Sequence, residues 1–211
     1  MRISSRKGDS VSEEPLDGTN AIDSAKLSFR PFPINGPMGL PFDCEDDDLN
    51  EFLLTTQASD YQRELVGHTT LVFYEDELVA YFTVSAGHQK TEYAPGRTLF
   101  KARSAQVRNT PAILIGRIAV DRKWKNRGVG TIIFKRILST AISVNNRLAV
   151  RILAVHSLEG SVGFYEKVGF KELPGMNSYP RLMFFDILRA KEIRDSQSKI
   201  AFTDAEYKAS G

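Results

Sequence analysis

The residues best placed to do chemistry are those of Asp121-Arg-Lys-Trp-Lys125-Asn126-Arg127-Gly128-Val129-Gly130-Thr131. An apolar run, Ile113 to Val120, precedes them, and helical periodicity opens at the glycines. A strand feeding a glycine-rich turn at a helix start is a device for holding phosphate. The first N–H groups of a helix have no partner within it and carry roughly half a positive charge. Glycines let the backbone approach a phosphate closely and adopt positive φ. Lys125 and Arg127 add cations beside them. The spacing departs from the triphosphate loop and from the G-x-G-x-x-G dinucleotide turn, so a phosphorylated cofactor of another kind is expected. Arg117 is the second residue that demands a role, because it interrupts the apolar run. An unpaired buried guanidinium is costly, so it must face a carboxylate, a cleft or solvent. Strict strand alternation puts it on a side with Ile115 and Ala119. Two roles fit, a structural ion pair or a contact to the phosphate or acceptor end of a substrate.

These residues need a scaffold, and the hydrophobic periodicities describe one. Leu27–Pro31 reads as a first strand, closed by prolines at 31, 33 and 37. Residues 43–64 read as one helix with Leu49, Phe52 and Leu53 on a single face and the acidic run Glu45–Asp48 in its first turn. That run complements the positive helix end and needs no catalytic role. Thr69–Tyr74 and Leu78–Ser85 form a hairpin about Glu75-Asp-Glu77, and residues 86–110 a polar, basic connection. After the Ile113–Val120 strand, Val129, Ile132, Ile133, Ile137, Ala141 and Val144 repeat at helical spacing. Val150–His156, Glu159–Lys167 and Arg181–Leu188 read as strand, short helix and last strand. The alternation is that of a single α/β domain over residues 27–188. Residues 1–26 read as a polar, disordered leader and 189–211 as a polar tail.

The basic G-x-G turn, the Val150–Val155 strand and then Phe164-Tyr165-Glu-Lys-Val-Gly-Phe170 together resemble the GNAT superfamily of acetyl-coenzyme A-dependent N-acetyltransferases. Phe42-Asp-Cys-Glu, Leu49-Asn-Glu-Phe-Leu53, Thr70–Phe73 and Leu78–Ser85 are similar to one branch of it, which includes bacterial toxins that acetylate the amino group of aminoacyl-tRNA. Lys125 stands where the superfamily usually has Gln or Arg; it keeps the cation without the guanidinium fork. The resemblance implies a GNAT fold, a mixed sheet flanked by helices in which the two central parallel strands, Ile113–Val120 and Val150–His156, splay apart. The pantetheine arm of acetyl-CoA would pair with the backbone of Ile118, Ala119 and Val120 as an added strand. The pyrophosphate would rest on the loop from Lys125 and Asn126 to Thr131, chiefly on the N–H groups of Arg127, Gly128, Val129, Gly130 and Thr131. Tyr165, which as a bare residue reads as a core aromatic like its neighbour Phe164, occupies by this resemblance the tyrosine position that donates a proton to the departing thiolate. The G-R-I-A-V sequence about Arg117 is typical of the toxin-like branch and assigns Arg117 to the substrate side.

Acetyl transfer requires a neutral amine, a stabilised oxyanion and a proton for the thiolate. The Ile113–Val120 strand offers no Asp or Glu as a general base; a water chain to Glu75 or Glu77 is the other route. A lysine amine, with a pKa of about 10.4, needs such a base more than an α-amine of about 7.7–8.0. The absence therefore favours an α-amine or aminoacyl acceptor.

Charge bears on the partner. Residues 1–87 hold 6 Lys/Arg against 16 Asp/Glu, whereas residues 88–136 hold 12 against Glu92 and Asp121 alone. The halves either neutralise one another or leave a basic face. Such a face would speed capture of coenzyme A and, through Lys90, Arg97, Lys101, Arg103 and Arg108, would contact a polyanion such as tRNA. The acceptor readings are an aminoacyl-tRNA, with an antitoxin as protein partner, and a small-molecule or protein amine; a non-catalytic acetyl-CoA-binding domain is a third. A homodimer is common in the superfamily. The lone Cys44 excludes an internal disulfide, suits a reducing cytoplasm and reads as a small buried hydrophobe. His68, His88 and His156 lack ligand spacing, so no metal is expected. No apolar run approaches the roughly 20 residues that span a bilayer, so no membrane partner is expected.

Overall fold

The computed structural model describes residues 21–36, 39–90, 109–173 and 179–191. Seven strands form one mixed sheet: β1 Leu27–Pro31, β2 His68–Tyr74, β3 Glu77–Lys90, β4 Asn109–Val120, β5 Ile152–Ser157, β6 Lys171–Glu172 and β7 Arg181–Asp186. Their order is β1-β2-β3-β4-β5-β7-β6. Neighbours run antiparallel except the central pair β4 and β5. Helices α3 (Val129–Val144) and α4 (Val162–Lys167) cover one face. There Val129, Ile133, Phe134, Ile137 and Tyr165 pack on Val72, Phe82, Ile115 and Leu153. Helices α1 (Asp47–Leu54) and α2 (Gln57–Arg63) cover the other face of β1–β4, where Phe52, Leu53 and Ala58 meet Leu71, Phe73, Tyr81 and Ala119. This is the α/β architecture expected.

The single helix expected over residues 43–64 is two. Thr55 drops to φ −105°, ψ −164°, and its Oγ1 accepts a bond from Gln57 N–H, restarting the helix in a new direction. A hydroxyl that bonds nearby backbone competes with helix continuation. The break lets Phe52, fully buried, meet both Tyr61 and Tyr81 rings, with centroids 5.2 and 6.0 Å away. Tyr81 pins α1 by donating its hydroxyl proton to the Leu49 carbonyl at 2.7 Å. Asp46 caps α1 and Asp47 and Asp48 fill its first turn, but Glu45 lies outside the helix at φ +66°.

Other boundaries shift modestly. β4 begins at Asn109 because its hairpin with β3 runs out to Lys90. β7 stops at Asp186, whose carboxylate accepts from Leu188 N–H and takes a two-pronged bond from Arg151. β6 is only two residues long, too short to leave a periodic signal. Described residues begin inside the expected leader: Ile22 N–H donates to the Arg127 carbonyl, and a 3-10 turn spans Ser24–Lys26. The remainder of that leader, the cations Arg97, Lys101, Arg103 and Arg108, and the tail beyond Lys191 lie outside the described residues. No helix among the described residues is long and apolar enough to cross a membrane.

Candidate active site

β4 and β5 pair only from Ala112 to Ile115, against Ile152 to Val155. Beyond Ile115 the strands part, while the other edge of β4 stays bonded to β3 as far as Val120. Among the described residues, the backbone groups of Gly116–Val120 that point toward β5 are thus a strand edge without a sheet partner. This is the fork the resemblance implied, and it lies within the expected strand.

The fork carries a bulge. Thr83 pairs with Arg117 and Val84 with Ile115, so Gly116 is left between rungs. One extra residue reverses alternation. Ile115 therefore faces α3, whereas Arg117 turns to the α1 and α2 face with Ala119, so the expectation that Arg117 and Ile115 share a side is corrected. Among the described residues no carboxylate pairs with Arg117. Its guanidinium lies 3.7 Å from the Phe52 ring centroid and 5.1 Å from that of Tyr61. Aromatic faces attract a guanidinium and leave its N–H fork free at the edge.

Beyond β4, Asp121 is buried and holds two backbone groups, accepting from Asp43 N–H and Lys123 N–H at 3.0 Å each. Its role escaped the sequence reading because the carboxylate serves another segment 78 residues away. A 3-10 turn, Arg122–Trp124, leads to Asn126 and Gly128, both in the left-handed region at φ +61° and +85°. α3 then starts without a side-chain cap, and Ile132 N–H makes the first bond back, to the Gly128 carbonyl. The N–H groups of Val129, Gly130 and Thr131 are therefore the free donors of the helix end. Gly130 has a second duty: a Cβ there would stand 3.0 Å from the Phe164 ring, so its absence lets α4 close against α3.

The two cations of the loop differ in use. Arg127 stacks over Trp124 at 4.9 Å. Lys125 turns away from the helix end and donates to the Cys44 carbonyl at 2.9 Å and the Glu45 carboxylate at 2.7 Å. Arg122 likewise meets Asp43 at 3.3 Å. The acidic amino-terminal half thus neutralises part of the basic half at this loop. Cys44 is buried, as expected, and burial raises its thiol above the ordinary range.

Tyr165 sits in the same buried cluster as Ile115, Val129 and Val155, on the α3 side of the fork. Its ring meets Phe164 and Phe170 edge-on at 5.1 and 5.3 Å. Burial pushes its phenol up to about 12, so it holds its proton at neutral pH, the state a donor requires. No group of His, Cys, Asp and Glu among the described residues could hold a metal ion.

The acetyltransferase (GNAT) family model matches residues 38–170, which contain the fork, the loop and Tyr165. The chain belongs to the GNAT family. Within it, a tRNA-acetylating toxin of Mycobacterium tuberculosis is 27% identical over 101 residues, covering 47% of this chain and 58% of that protein. The chain thus matches little more than half the length of this curated relative. Among solved structures, AtaT complexed with acetyl-methionyl-tRNAfMet superposes with a TM-score of 0.67 at 21% identity, covering 79% of this chain and 98% of that one. AtaTR bound with acetyl-CoA gives 0.65 at 23%, covering 80% and 98%. A tyrosine-to-phenylalanine mutant of KacT gives 0.68 at 19%, covering 80% and 99%. These confirm the fold.

GNAT proteins use acetyl-CoA, and the residues present here fit it. The free β4 edge can pair with the amide-bearing pantetheine arm. The uncapped start of α3, entered through Gly128, offers N–H donors to a diphosphate. When bound, acetyl-CoA supplies the activated acetyl group.

Proposed function

We propose that this chain transfers the acetyl group of acetyl-CoA to an amine, and that the acceptor is the α-amino group of an aminoacyl-tRNA. The observation that carries the reading is the fork: an open strand edge that runs into an uncapped helix end, with a protonated, buried phenol beside it. In this reading Ile118, Ala119 and Val120 hold the pantetheine by their backbone. Arg127 to Thr131 hold the diphosphate, and Asn126 shapes the turn with its positive φ. Lys125 reaches the phosphates only by leaving Glu45. Tyr165 protonates the thiolate as the C–S bond breaks.

The acceptor side is the α1 and α2 face, where Arg117 is held over the Phe52 ring and can present its N–H fork to a phosphate or to the acceptor end. Similarity to proteins named for tRNA acetylation, and to one bound to acetyl-methionyl-tRNAfMet, supports tRNA. Similarity to AtaT bound to the C-terminus of the antitoxin AtaR supports a protein antitoxin as a further partner; an aminoacyl-tRNA acceptor would put the reaction in the cytoplasm. The pairing of Asp43 with Arg122 and Glu45 with Lys125 favours a second reading, a small or protein amine as acceptor with the residual basic charge serving acetyl-CoA alone.

Labelled acetyl-CoA incubated with charged tRNA, peptides and polyamines decides between them. Label is expected on aminoacyl-tRNA, with tRNA binding that weakens steeply as salt rises. Label only on a polyamine or peptide would establish the second reading. Failure of the folded protein to bind coenzyme A by calorimetry would sink both.

A further inference from the structure

We propose that His156 is the general base of the acetyl transfer, standing on the acceptor side of the fork. The inference deepens the acetyltransferase reading above and rests on it. Val155 is the last residue of β5 to pair with β4, and His156 is the next, on the lip of the fork. On β7 its partner is Leu182, which lies with Ala154, Phe184 and Leu114 on the sheet face away from α3. Arg117, two residues past the last β4 rung, turns to that same face through the Gly116 bulge. His156 and Arg117 therefore flank one opening from opposite strands, and His156 is solvent-exposed there. Tyr165 lies across the sheet on the α3 side. A base on one face and an acid on the other suit an amine that arrives from the α1 and α2 side and a thiolate that departs toward α3.

The carboxylates that could compete are engaged elsewhere. Glu75 pairs with Lys26, and Glu77 accepts from Trp124 Nε1. Asp43 and Glu45 hold Arg122 and Lys125, Asp46 caps α1, and Asp121 accepts two backbone N–H groups. The charged groups nearest His156 along the fold are Arg117 on β4, which shares its face, and Glu159 in the following turn; Arg181 on β7 pairs with Ser157 and turns with its partner Glu172 to the α3 face. Histidine is the side chain suited to relieve an α-amine of a proton near neutral pH, and too weak a base for a lysine amine of about 10.4.

The step balances. The imidazole takes one proton from the α-ammonium, and the neutral amine so formed adds to the thioester carbon, forming the C–N bond. The C–S bond then breaks with its electron pair on sulfur, which takes the Tyr165 proton. Solvent carries the remaining surplus N–H proton of the adduct to tyrosinate and takes up the imidazolium proton.

The test compares His156→Ala and His156→Gln with the wild type between about pH 6 and pH 9, using whichever amine the wild type labels. Loss of a general base costs about 10²- to 10⁴-fold in kcat/KM. That loss is expected near neutral pH with acetyl-CoA affinity by calorimetry unchanged. It should narrow as pH rises beyond the amine's own range, and added imidazole should restore part of the rate to His156→Ala. A deficit that is uniform across pH and deaf to imidazole would overturn the assignment, as would wild-type rates. Should the wild type label only a polyamine or peptide, the tRNA reading fails while the same variants still decide His156.

Discussion

At the scale of single residues, the site divides into groups that work by proton and groups that work by shape. Tyr165 is of the first kind. Tyr165→Phe removes the proton and leaves the ring packing against Phe164 and Phe170. Its kcat should fall by about 10²-fold or more, while calorimetric binding of acetyl-CoA stays at the wild-type value. The raised phenol sets a sign: the proton is retained through neutral and mildly alkaline pH, so the wild-type rate should show no tyrosine-dependent decline until the pH approaches about 12. The two glycines of the loop work by shape, and differently. Gly128 sits at φ +85° with open space about it, so Gly128→Ala costs backbone strain of about 1–2 kcal/mol. Gly130 has an ordinary φ but faces the Phe164 ring at 3.0 Å, so Gly130→Ala must push α4 away. Both should weaken acetyl-CoA in calorimetry. Only Gly130→Ala should also alter the near-ultraviolet signal of the aromatic cluster.

At the scale of elements, the decisive feature is how α1 is held over β4. Phe52 fills the space between Tyr61 and Tyr81 and also carries the Arg117 guanidinium. Phe52→Ala should destabilise the fold by about 3–5 kcal/mol in denaturant titration, and in a stabilised background should raise the acceptor KM more than the acetyl-CoA KM. The strands and α3 were legible because their apolar residues repeat at a fixed period. The fork was legible only through family resemblance, since strands that diverge keep the same apolar residues as strands that pair. The Gly116 bulge left a trace, a lone glycine in an apolar run, but a glycine there states neither that alternation reverses nor that Arg117 changes side. The break at Thr55 was hidden in the same way: Thr55-Thr56 is a weak helix pair, yet Leu49, Phe52 and Leu53 continue a helical face up to it. Contacts distant in sequence, such as Asp121 with Asp43, carried no local signal at all.

At the scale of the whole molecule, charge is shared more evenly than the run of residues suggests. The amino-terminal acids reach across to the phosphate loop, and Glu45 occupies Lys125. Glu45→Gln should remove the charge that holds that ammonium and leave it only the Cys44 carbonyl, so acetyl-CoA should bind more tightly at low ionic strength, an advantage that added salt erases. The sheet itself is two plates. One comprises β1 to β4, the other β5, β7 and β6, and the four rungs from Ala112 to Ile115 are the sheet pairing between them. A ligand laid along the free edge of β4 would act as a rivet across that seam. Fraying of the apoprotein should begin at the carboxy-terminal plate, and its amides should gain the most exchange protection once the gap is filled.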